Sequence, residues 1–227
     1  MKKLSAQAES DQRGVIQPIL IIGGAVIGII IILVATGTLK FSGYVKVDDS
    51  NKQADLPSVQ TEESAPAQKP QSAAKLNSEN YTDTNYGFTI SYPEGWKVRE
   101  QTNNVTMFKP SETKGADQAD ALVSVVADKV GDNKDMKLAS IADIHKTFLK
   151  KQFTSVDIIG EKETKVGAED GYELEFNSVI NSEKMHGRYI VIKGAKYLYV
   201  LVGMSNAGLW DGEKANIEAS VQTFKTN

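Results

Sequence analysis

The feature that divides this chain of 227 residues is a run of 26, Gly14 to Leu39, that carries no charge. Within it, Ile19 to Ala35 contains only Ile, Leu, Val, Ala and Gly. At helical rise, Ile19 to Leu39 spans about 31 Å, which matches a hydrocarbon core of about 30 Å. No helical periodicity modulates the run, so it reads as one transmembrane helix rather than an amphipathic surface helix. Residues 1–13 are then a short polar N-terminus. Lys2, Lys3 and Arg13 precede the run, against Lys40 and Lys46 after it. That weak bias places the N-terminus in the cytoplasm and everything from Lys40 onward outside, in a single-pass protein of the cell membrane.

Three short motifs bear on how the span is used. Ala35-Thr36-Gly37 offers small residues suited to signal-peptide cleavage, but the polar lead and the long apolar run favour an uncleaved signal anchor. Gly24 and Gly28 form a GxxxG pattern through which two helices can approach as a weak homodimer, although five Gly between residues 14 and 37 make a chance match the simpler account. Arg13-Gly14 resembles the processing site of type IV pilins. Ile19 stands where that family carries Glu, and Pro18 precedes it, so a pilin-like or secretion-assembly subunit is the alternative reading rather than the leading one.

Residues 40–79 have the composition of a flexible polar linker. Between Asp48 and Asn80 there are three Pro, no aromatic residue, and only Leu56 and Val59 as large aliphatics before Leu76. Such a segment cannot bury enough apolar surface to offset the entropy of ordering it. As a random coil it reaches roughly 30–35 Å. The aromatic residues, in contrast, lie almost wholly at or beyond residue 80, with Phe41 and Tyr44 the exceptions. Residues 80–227 are therefore the expected globular domain.

In that domain the period changes to two. Phe88, Ile90 and Tyr92 form one face of a strand that Pro93-Glu94-Gly95-Trp96 ends with a turn. Shorter strands follow near 96–100, 105–108 and 121–127. From Leu138 to Gln152 the repeat is helical, with Leu138, Ile141, His145, Phe148 and Leu149 on one side. Residues 171–203 then read as a three-stranded antiparallel meander, turning at Asn181-Ser182 and Gly194-Ala195. A two-residue turn at Asn181-Ser182 sets Glu175 opposite Arg188 and Asn177 opposite His186. Tyr197 to Val202 has no polar alternation, so it is expected to be a central strand with both faces covered. Asp211 is the expected N-cap of a last helix whose buried stripe is Ile217, Val221 and Phe224. The expected class is α+β, an antiparallel sheet covered by helices on both faces in an α/β/α sandwich.

The segment from Tyr86 to Trp96, ending Tyr92-Pro93-Glu94-Gly95-Trp96, resembles the opening strand and turn of PsbP-like domains, within the PsbP/Mog1 fold group. Glu169 to Phe176, the two long strands after it and the terminal helix ending Val221-Gln222-Thr223-Phe224 are similar to the same family's order of elements. The resemblance covers residues 81–226 and rests on fold-defining motifs. It implies a non-enzymatic binding or assembly domain outside the cytoplasm, of the kind found in bacterial membrane-anchored proteins.

Chemistry is sparse. With 26 Lys+Arg against 29 Asp+Glu there is no basic excess for nucleic acid. The absence of Cys removes disulfides, Cys-ligated zinc and thiol catalysis. Gly203-Met204-Ser205-Asn206-Ala207 matches a nucleophile elbow in spacing, but no His follows Ser205, so Ser205 or Asn206 is expected simply to cap a turn. His145 reads as a core histidine, and His186 as a solvated edge beside Arg188. Glu173 and Glu175 point the same way and could form a carboxylate pair, but a solvated outer face partly neutralised by Arg188 is the simpler account. Asp132-Asn133-Lys134-Asp135 lacks the Gly and final Glu of a calcium loop. No catalytic residue, metal site or cofactor is expected. The expected function is a membrane-anchored extracytoplasmic binding or assembly domain whose partner is an unidentified protein or small ligand, with a membrane-tethered hydrolase the weakest alternative.

Overall fold

A computed structural model describes residues 40–41, 75–111, 115–152, 155–180 and 182–227. The span expected at 14–39, its Gly24 and Gly28 motif, the Arg13-Gly14 site and the linker from 42 to 74 lie outside the described residues. Among the described residues no helix is long and apolar enough to cross a membrane.

The strands are β1 (Lys40–Phe41), β2 (Leu76–Asp83), β3 (Phe88–Pro93), β4 (Lys97–Gln101), β5 (Asn104–Ser111), β6 (Gly115–Lys129), β7 (Val156–Val166), β8 (Glu169–Ile180), β9 (Glu183–Lys193), β10 (Tyr197–Asn206) and β11 (Lys225–Thr226). Helix α1 (Leu138–Gln152) lies between β6 and β7, and α2 (Trp210–Gln222) between β10 and β11. Seven strands form an antiparallel sheet in the order β4-β5-β6-β10-β9-β8-β7, to which β1 adds in parallel beside Gln118 and Ala119. A second, three-stranded sheet runs β11-β3-β2.

The meander is as expected, with Glu175 opposite Arg188 and Asn177 opposite His186. Strand β10 lies between β6 and β9 at the centre, buried from Leu198 to Asn206, which its lack of polar alternation predicted. Gly95 takes φ +79° in the turn where Trp96 N–H donates to Pro93 O at 3.2 Å, a conformation that favours Gly. Helix α1 also has the expected bounds.

Alternation assigns the strands to two cores. Leu174, Phe176, Tyr189, Val200 and Met204 pack with Ile141, Ala142 and Leu149 of α1. The intervening Ile190, Ile192, Tyr199 and Leu201 pack with Trp210, Ile217 and Val221 of α2, and with Phe88 and Ile90 of β3 and Trp96 of the turn after it. One helix on each face of the main sheet fits the layered α+β class.

Three details differ from expectation. Strand β2 begins at Leu76, inside the stretch read as linker, because pairing with β3 and the Glu94 N–H bond to Lys75 O tie it down. Helix α2 is capped at Leu209 with no side-chain hydrogen bond, so Asp211 is a first-turn acid rather than the N-cap. Strand β7, whose charged sequence carries no clear period, forms an outer edge of the main sheet beside β8.

Candidate functional site

The densest polar grouping among the described residues sits where β8 and β9 meet α2. Glu173 is only 2% exposed, and Arg188 reaches across from β9. The guanidinium donates through Nε to Glu173 Oε1 at 2.8 Å and through Nη2 to Glu173 Oε2 at 2.5 Å. Its Nη1 donates to Glu218 Oε1 of α2 at 2.8 Å. Lys162 of β7 stands 3.7 Å from Glu173. Planar guanidinium geometry suits this bidentate contact with a third partner, which fixes the helix over the strands. Glu173 is thus not on a solvated outer face, because it is buried and both its oxygens are engaged by Arg188, which is itself tied to Glu218 of α2.

Toward the N-terminus of α2, His186 packs against the Trp210 ring at 4.3 Å between centroids. Its Nε2 lies 2.9 Å from Glu175 Oε1, and its Nδ1 lies 2.8 Å from Asn177 Oδ1. The expected solvated-edge histidine is therefore half-buried, with ring face and both nitrogens occupied. Neither Trp210 nor Glu218 could be assigned these roles from sequence, since no local spacing connects them to His186 or Arg188.

The opposite face holds the other histidine. His145 is 2% exposed and its Nδ1 lies 2.6 Å from the hydroxyl of buried Tyr189. Burial lowers the His145 pKa from 6.5 to about 4, so the ring is neutral near pH 7. Burial also raises the Tyr189 hydroxyl well above its usual range. This is the satisfied core histidine that the helical stripe predicted.

Ser205 is fully buried inside β10, opposite His186 and Ala121, and donates to Asn206 O at 3.1 Å. It caps no turn, because β10 continues through Asn206, whose side chain receives the Gly208 N–H at 3.0 Å instead. Glu173 and Glu175 do not pair with each other, since Arg188 holds one and His186 the other. Residues 131–135 form a 3-10 turn. The Lys193 ammonium donates to Lys134 O at 3.1 Å and Met136 O at 2.7 Å, so a built-in cation already serves these carbonyls. Among the described residues no cluster of three or more His, Asp or Glu is placed to hold a metal ion.

At the ends of β7, β8 and β9 lies a shallow cavity of about 460 Å³, to which Val156, Ser178 and Met185 contribute from the α1 side of the strands. Its lining includes Asp157, Asn177, Val179, Lys184 and Ala207. Asp157 pairs with Asn177, and Val179 with Lys184, so the register sets these side chains on the same side of the sheet as His186. Asn177 lines the cavity and is joined through His186 to Trp210.

The arrangement defines a class: an antiparallel sheet flanked by two helices, with buried polar groups joining a helix to the strands. A family model described as PsbP matches residues 77–226, and the chain belongs to the PsbP family. Among solved structures it is similar to a cyanobacterial PsbP, CyanoP from Synechocystis sp. PCC 6803, at 18% identity and TM-score 0.52, covering 71% of this chain and 98% of that one. LpqN of Mycobacterium tuberculosis, described as involved in cell envelope biogenesis, matches at 11% identity and TM-score 0.49, covering 67% of this chain and 92% of that one. The Ran-binding protein Mog1p of Saccharomyces cerevisiae matches at 10% identity and TM-score 0.46, over 67% of this chain and 96% of its own. A comparison with curated protein sequences finds no match. The family match and the likeness to CyanoP establish the fold.

Proposed function

We propose that this chain is a membrane-anchored binding or assembly domain of the PsbP family, displayed outside the cytoplasm on a flexible linker and without chemistry of its own. The observation that carries the reading is how the polar side chains are spent. Both oxygens of Glu173 and three nitrogens of Arg188 are committed to joining α2 to the sheet, and His186 is committed to Glu175 and Asn177. The domain therefore offers solvent a surface and a shallow cavity rather than a nucleophile beside a base. Family membership agrees with a binding role, and the uncharged run from Gly14 to Leu39 supports the anchor.

Three measurements test it. Protease added to spheroplasts is expected to remove a tag placed after Asn227, and a fully protected tag would reverse the topology. Crosslinking in the native membrane is expected to capture a specific partner. Turnover of a defined substrate by the purified chain, abolished by Glu175→Gln in a folded protein, would replace binding by catalysis.

A further inference from the structure

We infer that the cavity at the end of β7, β8 and β9 is a binding site for a short zwitterionic peptide of two or three residues with an apolar side chain. The walls carry opposite charges. Asp157 and Lys184 are both exposed, and neither side chain has a hydrogen-bond or ion-pair partner among the described residues. Asp157 lies opposite Asn177 on one side of β8, and Lys184 lies opposite Val179 on the other. Two strand spacings and two residue rises then separate their Cα atoms by roughly 12 Å. An extended chain of two or three residues spans roughly 7–11 Å, which leaves room for the Asp and Lys side chains to reach its two ends.

The floor between these charges supplies the other contacts. Val179, one of two large apolar side chains exposed in the described domain, is 41% exposed there, with Ala207 beside it. Asn177 is exposed but not free to turn, since His186 Nδ1 holds its Oδ1 at 2.8 Å while Glu175 and Trp210 hold His186. The other amide atom of Asn177 is left for a peptide group of the ligand. Such support of an exposed side chain lowers the ordering cost of binding. A ligand bearing one charge would leave either Asp157 or Lys184 unmatched, so the pair selects for both ends of a short peptide.

The inference rests on the binding reading above, but the two fail separately. Titration of the full-length chain in detergent micelles with Ala-Val-Ala, followed by calorimetry, is expected to saturate with Kd below about 1 mM. The N-acetylated and C-amidated forms are each expected to bind about three- to fivefold more weakly. Asp157→Asn should erase discrimination against the acetylated form only, and Lys184→Met against the amidated form only, in variants whose thermal transitions match the parent. Absence of saturation by about 10 mM, or equal binding of the free and blocked peptides, overturns the site. A partner captured by crosslinking alongside either result would leave the assembly reading standing while the peptide site falls.

Discussion

The two faces of β8 and β9 are made by alternate residues of the same strands, yet they hold their helices by different means. On the α1 face Leu174, Phe176, Tyr189 and Val191 form a dry layer whose one histidine is kept neutral. On the α2 face Ile190 and Ile192 join an apolar core with the helix, and beside them Glu173, Glu175, His186 and Arg188 keep their polar groups buried or half-buried by engaging one another and the helix. The apolar face tolerates any packing of similar volume, whereas the polar face is satisfied in one register only. A one-residue slip of β9 would remove Arg188 from Glu173 and expose the α1 layer at once. The polar contacts thus specify the register, and the apolar layers on both faces stabilise it.

Removing one partner of the buried pair gives the largest expected effect. Arg188→Met leaves Glu173 buried without compensation and is expected to cost about 3–5 kcal/mol in denaturant unfolding. Adding Glu173→Met should recover most of that loss. A double variant as unstable as the single one would mean that the pair stabilises the fold directly rather than selecting its register.

On the apolar face the sensitive variable is pH. The folded His145 pKa of about 4 lies below the ordinary 6.5, so the unfolded chain binds a proton that the folded one refuses. This contribution is absent above pH 7, destabilises progressively as pH falls from 6.5 to 4, and then levels off. A lowering from 6.5 to about 4 corresponds to about 3 kcal/mol. His145→Gln should flatten the fall in stability between pH 7 and 4 by that amount. An unchanged slope would place the acid sensitivity elsewhere.

A smaller effect tests how closely α2 approaches. A Cβ on Gly203 would stand 2.3 Å from Ile217 Cγ2, so Gly203→Ala is expected to cost about 1–3 kcal/mol as the helix shifts outward. Thermal unfolding would measure it, and a neutral result would show that α2 slides freely on β10. Least affected should be Lys165→Ala. Its 2.6 Å contact with Asp170 is exposed to solvent, and its loss should change stability by less than about 1 kcal/mol.

The sequence by itself determined every element whose signal is local. The α1 stripe, the Gly95 turn, the central place of β10 and the register setting Glu175 opposite Arg188 follow from side-chain periods and turn chemistry acting over a few residues. Tertiary structure decided what distant segments do to one another. It placed charged β7 beside β8, paired Lys225 of β11 with Thr89 of β3, brought Glu218 to Arg188, and set Trp210 against His186. It also turned Glu173 and Glu175 from a presumed solvated pair into separate partners of Arg188 and His186. The physical reason is that a strand's alternation states which residues share a face but not which element will cover that face. Coverage depends on where α2 lands, and Gly203, the apolar stripe of Ile217 and Val221 and the reach of Arg188 fix that landing only once the sheet has formed.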